Sequence, residues 1–338
     1  MTKFSSDFPV SRNRQLKALL RSLEEDLHNA RNTEDLVAMV EKAKAFGTPL
    51  KFNNRIPYQM AAIFLILAGA VFFFLHSLDL NPVWALLPLP GAVFFGLWGF
   101  LRNTKSHRIS ADMFKRDILF DNQLVALSQD LAQQTRSLAE TFQEFRRGDH
   151  AREIKEMFQG NFSGTEHSFT YTYYHFHYVD KRQSGIGSKR TTTYEHYDRY
   201  GLLVQFNFAR NLSIQSFQRS RKRTSTFRAA SNYFNKLYSV KAESEMDAAK
   251  FLKPKIVVAL EDIHQHFHRP NFEFSSSGEL CMSFQNSGLI QIQPTHDLNA
   301  PDPFIEELRH FNELTDLKIA LEHIHTLMKY SDSNFQTP

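Results

Sequence analysis

Two long apolar runs dominate the hydrophobic pattern of the chain. One covers residues 58–75 and the other residues 82–101, and Asp79 is the only side chain between Arg55 and Arg102 expected to be charged at pH 7. Each run has roughly the 20 residues that an α-helix needs to cross the hydrocarbon core of a bilayer. Neither run shows the polar stripe expected of a hairpin buried in a soluble core. The pattern therefore predicts a transmembrane hairpin over residues 58–101.

Prolines and small residues interrupt the second apolar run. Pro88 and Pro90 each lack a backbone donor, which predicts a kink or a loosened helix at this point. Ala92 and Gly96 are four residues apart and would share one face of a helix. Small side chains at that spacing let a neighbouring helix approach closely, so this face is a candidate for helix packing.

Lysine and arginine residues flank the predicted hairpin on both sides. Lys51 and Arg55 precede it, Arg102 and Lys105 follow it, and the connecting segment 76–81 contains neither residue type. Because the cytoplasmic flanks of membrane helices are enriched in Lys and Arg, both termini are predicted to be cytoplasmic. The chain is therefore expected to be a two-pass protein of a cytoplasmic membrane, with the lipid bilayer as its first partner.

The first 50 residues predict a helical hairpin that precedes the membrane. Leucines recur at helical spacing between residues 11 and 31, which predicts the first helix. Asn32 provides a cap for a second helix, and Gly47 provides its stop. The expected role of this hairpin is packing, either on a later part of the chain or on a partner protein.

A long helical region is predicted after the membrane hairpin, over residues 110–159. It consists of one helix over residues 110–147 and a short helix over residues 150–159. Leucines in the long helix have nearly heptad spacing, which can support a coiled coil between copies of the chain. Packing of the same helix on its own domain is the alternative, and both remain open. The candidate self-association residues are Leu124, Leu127, Leu131 and Leu138.

From Gly160 onward the apolar pattern changes from helical to alternating, which predicts strands. Aromatic residues alternate from Phe169 to Tyr173, and the phase then shifts at Phe176, as at a β-bulge. A turn is predicted at Gly201 between two of the alternating runs. Short strands and helices follow up to the C-terminal region.

The fold class predicted from these elements is α+β. A two-helix transmembrane hairpin is followed by a long helix and by a cytoplasmic domain that contains an antiparallel sheet. The predicted domains are a helical hairpin at 1–50, the membrane helices at 58–101, the juxtamembrane helical region at 110–159 and the α+β domain at 160–330.

Several segments resemble motifs of one protein family. An FxGxxxxxxFxYxxxxxxY-like entry strand is followed by YGLLVQFNF at residues 200–208, YFNKLYSV at 233–240 and AAKFLKP at 248–254. Together with the hairpin, these resemble bacterial two-pass inner-membrane proteins that carry a C-terminal domain of unknown function. Lys253 stands where that family usually has threonine before the proline. The resemblance implies an inner-membrane location and no known reaction, and some family members are associated with LemA-like membrane proteins.

The chain contains 15 histidines, and two pairs of them have informative spacings. His264 and His268 are one helical turn apart, a spacing that zinc can use, and His175 and His177 share a strand face. A zinc site needs three or four converging ligands, and the sequence places no third ligand beside either pair. Histidines that serve only packing are the alternative. His264 and His268 are therefore weak metal candidates, and no cofactor is predicted.

Basic residues are densest in one loop of the predicted α+β domain. Held near a membrane, such a loop is suited to anionic lipid headgroups, and a solvated loop is the alternative. The formal net charge is only +4, so the chain is no polycation and nucleic acid is not an expected partner. The candidate residues for an anionic surface are Arg219, Arg221, Lys222, Arg223 and Arg228.

Catalytic motifs are not found in the sequence, which has no phosphate-binding loop, nucleophile elbow or kinase set. The lone Cys281 cannot form an internal disulfide, which fits a reducing compartment. We expect a non-enzymatic membrane protein whose hairpin anchors a cytoplasmic domain that binds a protein or a ligand, as a self-associating scaffold or regulator. The alternatives are a membrane-tethered metal-dependent hydrolase and a binder of anionic lipid or nucleic acid.

Overall fold

The chain divides into two units. A computed structural model describes residues 9–127, 130–184, 190–216, 227–286 and 289–332. Unit 1 combines residues 1–120 with 292–312, and unit 2 combines residues 121–291 with 313–338. Unit 1 is helical, and unit 2 joins helices to an antiparallel sheet. The predicted α+β class is confirmed.

Unit 1 is built from five α-helices within the described residues. The N-terminal helical hairpin is confirmed: Asn32 accepts a hydrogen bond from the backbone N–H of Asp35, and Gly47 ends the second helix with φ 96°. That helix packs against a helix from the C-terminal part of the unit. The helices are α1 (Pro9–Asn29), α2 (Thr33–Phe46), α3 (Arg55–Ser77), α4 (Leu89–Asp121) and α9 (Pro301–Arg309).

The prolines of the second apolar run mark a helix start: the predicted kink is wrong, and the alternative of a locally loosened helix is found as a 3-10 helix and a turn. A short 3-10 helix covers Pro82–Leu86, Pro88 precedes α4, and Pro90 lies in its first turn. Backbone N–H groups in the first turn of a helix have no partner within the helix, so proline costs little there. From this start α4 continues for 33 residues into the basic segment without a break.

The second half of α4 is held by polar contacts inside unit 1. Lys105 pairs with Glu24 of α1 at 2.8 Å. The hydroxyl of Thr33 donates to Asp117 at 2.7 Å, and the hydroxyl of Ser110 accepts from the backbone N–H of Leu298 at 3.0 Å. Leucines of α1 and α2, including Leu16, Leu20, Leu23 and Leu36, are fully buried. The basic segment after the second apolar run therefore belongs to a packed helical body.

Unit 2 is organised by one antiparallel sheet, which has eight strands within the described residues. The strand order is β1-β2-β3-β4-β8-β7-β5-β6, and every neighbouring pair is antiparallel. The strands are β1 (Val125–Ala126), β2 (Ala151–Ser163), β3 (Ser168–Ser184), β4 (Thr191–Gln205), β5 (Leu212–Gln215), β6 (Ser239–Ala242), β7 (Asn271–Phe274) and β8 (Glu279–Phe284).

Helices cover parts of both faces of this sheet. On one face, called the α5 face, a cluster of Phe142 and Phe145 packs on Tyr174, Phe176 and Cys281. On the other, the α8 face, phenylalanines of β7 and β8 contact aromatic residues near α7 and α8. The helices of unit 2 are α5 (Leu131–Thr141), α6 (Asn232–Leu237), α7 (Glu245–Phe251), α8 (Pro254–His266) and α10 (Thr315–Ser331), with a 3-10 turn at Glu144–Arg146.

The long helix predicted over residues 110–147 is wrong. Helix α4 ends at Asp121, and Gln123 has φ 53°, a left-handed conformation that no helix continues. A new helix, α5, begins after Asp130, whose side chain accepts hydrogen bonds from the backbone N–H groups of Ala132 and Gln133. The leucines with heptad-like spacing therefore lie partly around β1 and partly on α5, and not on one helix.

The short helix predicted over residues 150–159 is also wrong, because this segment lies in β2. Ile154 and Met157 are three residues apart, as in a helix, yet both belong to the cluster on the α5 face. A register irregularity between Ile154 and Glu156 leaves Lys155 unpaired and shifts the strand phase. The bulge thus gives a strand the spacing of a helix. It lies in β2, and not in β3 where the sequence predicted it.

Gly201 lies inside a continuous strand, so the turn predicted there is wrong. It is the Cα partner of Tyr174 on β3 and of Ser283 on β8. A Cβ atom at this position would collide with the carbonyl oxygen of Met282 and would lie 2.5 Å from the hydroxyl of Tyr174. Glycine is required here by close packing within the sheet. Residues 289–292 form a turn and an irregular segment.

Candidate functional site

The apolar hairpin of unit 1 exposes most of its hydrophobic surface. Two helical segments of the described chain are long and apolar enough to cross a membrane, Arg55–Ser77 and Val83–Asp121. Only 6% of the apolar window of the first and 22% of that of the second is buried. Ile66, Phe73 and Leu87 are each at least 70% exposed. A core helix of a soluble protein would be mostly buried, so this surface needs another apolar environment.

The two helices of the hairpin interlock through glycines. A Cβ atom at Gly91 would lie 2.8 Å from the ring of Phe64, and one at Gly99 would lie 2.8 Å from the ring of Tyr58. The side-chain amide of Asn54 donates a buried hydrogen bond of 2.6 Å to the carbonyl oxygen of Gly99. Close approach at small residues and buried polar contacts are how helices associate in lipid. The hairpin is therefore built as a packed pair.

The small-residue face predicted at Ala92 and Gly96 is used only in part. Ala92 is buried, whereas a Cβ atom at Gly96 would meet nothing within 4 Å. Gly91 and Gly99 make the close contacts instead, and they are eight residues apart. Residues four or eight positions apart lie on roughly the same face of a helix. A search of the sequence for two glycines eight residues apart would therefore have found this pair.

An arginine lies over aromatic rings at the basic end of the hairpin. The guanidinium carbon of Arg102 lies 4.5 Å from the ring centre of Phe52 and 5.4 Å from that of Trp98. The side chain of Asn103 accepts a hydrogen bond of 3.0 Å from the backbone N–H of Phe52. Aromatic and cationic side chains together are typical of the level of lipid headgroups.

The predicted basic surface falls mostly outside the described residues. Arg219, Arg221, Lys222 and Arg223 lie in the segment 217–226, and Arg228 is described and exposed. Binding of anionic lipid by this loop stays a prediction. Another basic residue of unit 2, Arg182 on β3, forms an ion pair of 2.8 Å with Glu195.

The predicted histidine pair on α8 does not form the start of a metal site. The ring of His264 meets the ring of Tyr238 edge-on at 5.5 Å. His268 lies beyond the helix end, where its backbone N–H donates to the side chain of Asn286 at 2.6 Å. Among the described residues, no group of three or more His, Cys, Asp or Glu side chains is placed to hold a metal ion.

The predicted self-association leucines pack inside unit 2 and do not form one helical seam. Leu124 is buried before β1, and Leu127 follows that strand. Leu131 and Leu138 are on α5 and, like Leu127, pack partly buried against the cluster of the α5 face. A coiled coil needs its apolar positions on one continuous helix, so the predicted helical seam is wrong, whereas self-association of the chain stays a prediction.

A histidine–aspartate cluster lies across β3 and β4 on the α8 face. His175 and His177 share this strand face as the sequence indicates, and both hydrogen-bond to the same carboxylate oxygen of Asp198, at 2.7 and 2.8 Å. His177 also contacts His196 at 3.1 Å, and the ring of His175 stacks on Tyr200 at 4.5 Å.

This arrangement alters the acidity of Asp198. Burial, the largest influence, raises the pKa of Asp198, but hydrogen bonds from His175 and His177 outweigh it, so the pKa lies below its ordinary value. The carboxylate thus stays ionised and can orient both imidazoles. Sequence reasoning found the two histidines and missed the aspartate, because only the register of β3 with β4 brings it opposite His177.

A buried ionic network lies on the α5 face. Arg199, on β4, donates to Glu144 at 2.6 Å, to the carbonyl oxygen of Arg269 at 3.1 Å and to the hydroxyl of Ser283 at 2.9 Å. Arg147 donates to the second oxygen of Glu144 at 2.8 Å. Burial, the largest influence, would raise the pKa of Glu144, yet the charges of Arg147 and Arg199 lower it to about 2.

Glu273 is a second buried carboxyl group near this network. One of its oxygens accepts a hydrogen bond of 2.6 Å from the backbone N–H of Gln143. Burial and the charge of Glu144 raise the pKa of Glu273 to about 7. The sequence gives no signal for it, because Phe272-Glu273-Phe274 has the apolar–polar alternation expected of a strand whose charged residue faces solvent.

Comparison of the chain with protein-family models, curated proteins and solved structures finds no match. Function is therefore inferred from the geometry of this chain alone.

Proposed function

We propose that this chain is an integral membrane protein whose α3–α4 hairpin crosses the bilayer twice and anchors unit 2 as a cytoplasmic binding domain. The exposed apolar surface of the hairpin is the observation that carries the proposal. Moving one large apolar side chain from water into an apolar environment contributes about 1.5–3 kcal/mol. A dozen or more exposed Leu, Ile, Phe and Trp side chains on the two helices would make lipid strongly preferred over water.

The orientation follows from the basic flanks of the hairpin. Lys51 and Arg55 lie at the start of α3, and Arg102 and Lys105 lie where α4 leaves the apolar run. The positive-inside rule then places this end of both helices, both termini and unit 2 in the cytoplasm. The turn around Ser77 would be the only extracytoplasmic part between the two helices. An inner-membrane location and membership of the bacterial two-pass family stay predictions.

The proposed role of unit 2 is binding and not catalysis. Its described polar clusters are ion pairs and hydrogen-bonded groups on a rigid sheet, which suit recognition of a protein or a ligand. Self-association through the Leu124–Leu138 region is no longer part of the proposal, since those leucines pack internally. The lipid bilayer and a bound protein or ligand remain the proposed partners.

Membrane insertion can be tested by alkaline carbonate extraction of cell membranes. The wild-type chain is expected to stay in the membrane pellet. The variant Ile63→Arg with Ile66→Arg is expected to be extracted or degraded, because each arginine near a helix centre costs about 2.5–3.5 kcal/mol on insertion. Both isoleucines are exposed in the hairpin, so neither change disturbs the protein core.

The matched control is Ile63→Leu with Ile66→Leu, which keeps the helix apolar and should remain in the pellet. Release of the wild-type chain by carbonate would contradict the proposal. Equal retention of the arginine variant would contradict it as well, because a surface that tolerates two central charges does not face lipid.

A further inference from the structure

A small pocket of unit 2 lies where strands β7, β5 and β6 meet the segment after α5. Its volume is about 230 Å³, which is below the roughly 300–1,000 Å³ typical of drug-sized ligands. Gln143, Ser213, Lys241 and Glu273 are among the residues that line it. The pocket therefore suits a small polar molecule.

The strand register places three chemically different side chains in one row. Ser213 on β5 is the Cα partner of Glu273 on β7 and of Lys241 on β6. Directly opposed residues of antiparallel strands point to the same face. Neighbouring strands are about 4.8 Å apart, so the outer two Cα atoms are separated by roughly 10 Å. A carboxyl group, a hydroxyl group and an ammonium group thus follow one another across the sheet.

Two buried polar atoms in this row have no hydrogen-bond partner within the described residues. They are the second carboxyl oxygen of Glu273, Oε1, and the hydroxyl oxygen of Ser213. Glu273 is only 6% exposed, and its other oxygen is already bound to the backbone of Gln143. Leaving such a group without a hydrogen bond is unfavourable, and more so when the group is charged. Both atoms belong to residues that line the pocket, so they are candidate contacts for a bound molecule.

Lys241 supplies the opposite charge on the other side of Ser213. Within the ranges that the structure describes, no ion pair joins Lys241 to an acidic side chain, whereas nearby Glu243 accepts a hydrogen bond of 2.6 Å from Asn211. The pocket therefore has an acidic end with an open acceptor and a basic end with an open donor.

We propose that this pocket binds a small zwitterion of amino-acid size, with its ammonium group on Glu273 and Ser213 and its carboxylate on Lys241. An ammonium group has three N–H donors, enough for both open acceptors, and charge-assisted hydrogen bonds are the strong ones. The proposal rests on the binding role proposed for unit 2. A negative binding result is distinguishable from a failure of the membrane-insertion proposal, because binding is measured on protein purified in detergent.

Several charged groups control the ionisation of Glu273. Burial and the neighbouring charge of Glu144 raise its pKa, while the backbone N–H groups of Gln143 and Glu144 and the charge of Arg147 lower it, with a net value of about 7. Cys281 is its Cα partner on β8, and the pKa of that thiol is raised well above its ordinary value by burial, so it stays neutral. An ammonium group needs the ionised carboxylate, so binding is expected to strengthen as the pH rises through about 7.

The experiment uses the full chain in mild detergent and measures binding by isothermal titration calorimetry. Each of the twenty protein amino acids is titrated separately, with acetate and methylammonium as probes that carry only one of the two charges. At least one amino acid is expected to bind, and neither single-charge probe should bind at the same concentration. Failure of all twenty amino acids to bind would overturn the proposal, and so would equal binding of methylammonium.

Variants at the two ends of the pocket test the assigned contacts. Glu273→Gln and Lys241→Met should each weaken binding of that amino acid at least about tenfold, since a hydrogen bond to a charged group contributes about 1.5–3 kcal/mol. Ser213→Ala is a milder variant that should weaken it less. The exposed residues Glu245 and Lys250 provide matched controls, Glu245→Gln and Lys250→Met, which should bind as the wild type does. Wild-type affinity in both end variants would overturn the proposal.

Discussion

The guanidinium group of Arg199 donates a hydrogen bond of 2.6 Å to Glu144, and both side chains are completely buried. Removing one partner of a buried ion pair leaves the other charge without compensation, which typically costs about 3–5 kcal/mol. Arg147 still pairs with Glu144 in Arg199→Met, so this variant is expected to lower the free energy of unfolding of unit 2 by about 3 kcal/mol, the lower end of that range. Pulse proteolysis in urea, on the full chain in detergent, measures it.

A surface ion pair provides the control for this experiment. Lys318 and Glu313 are 2.7 Å apart, and both side chains are about half exposed. Lys318→Met is expected to leave the free energy of unfolding nearly unchanged, because exposed pairs contribute little. Equal losses for Arg199→Met and Lys318→Met would show that the buried pair does not organise the α5 face.

The raised pKa of Glu273 makes the stability of unit 2 depend on pH. Its folded-state pKa is about 7, above the ordinary value of 4.5, so the stabilising effect of its proton is fully present below about 4.5 and is lost as the pH rises through about 7. The loss is on the order of 3 kcal/mol. Pulse proteolysis at several pH values between these limits measures it.

Glu273→Gln isolates this effect from other titrating groups, since glutamine has nearly the same shape and no proton to lose. The difference in stability between the wild type and this variant should move in favour of glutamine as the pH rises from about 5 to about 8. A difference that stays constant over this interval would mean that Glu273 titrates normally.

The glycine contacts of the hairpin predict unequal effects of two similar substitutions. Gly91→Val would press against the ring of Phe64, whereas Gly96→Val would meet open space. Overpacking costs typically about 1–3 kcal/mol, so only the first change should loosen the hairpin. The two tryptophans, Trp84 and Trp98, both lie in the second apolar run, so their fluorescence during thermal unfolding reports on the hairpin. Identical curves for the two variants would argue against the glycine interlock.

The internal packing of α5 predicts the result of a double substitution. Leu131→Asp with Leu138→Asp places two charges against the cluster of Phe142 and Phe145. The double variant should destabilise unit 2 by about 1–3 kcal/mol per site. Because these leucines pack internally, the double substitution should not reduce the number of chains in the detergent-solubilised particle. A variant that remains folded and sediments as a smaller species would restore the intermolecular seam.

Local patterns in the sequence are sufficient to predict part of this fold. The helical structure of the apolar runs, the cap at Asn32 and the alternating strands follow from local signals along the sequence, and these are confirmed. The helix predicted over β2 is wrong for a local reason, because the bulge at Lys155 puts Ile154 and Met157 on one face. A strand with such a bulge has the same apolar spacing as one helical turn.

Contacts between distant residues are not visible in a single sequence. Arg199 and Glu144 are 55 residues apart, and nothing near either one indicates the other. Asp198 joins His175 and His177 only through the pairing of β3 with β4, and Ser213 joins Glu273 to Lys241 only through two further strand pairings. The candidate sites of unit 2 therefore depend on sheet register, which the sequence pattern does not specify.

The orientation of the hairpin in the membrane is the central claim, and cysteine labelling in intact cells tests it most directly. In a Cys281→Ser background, single cysteines are placed at Ser77, at Asn29 before the hairpin and at Met246 after it, all three exposed. A membrane-impermeant maleimide should label the cysteine at Ser77 in intact cells, and the other two only after the cells are opened. Labelling at Asn29 or Met246 in intact cells, with none at Ser77, would contradict a hairpin that holds both termini in the cytoplasm.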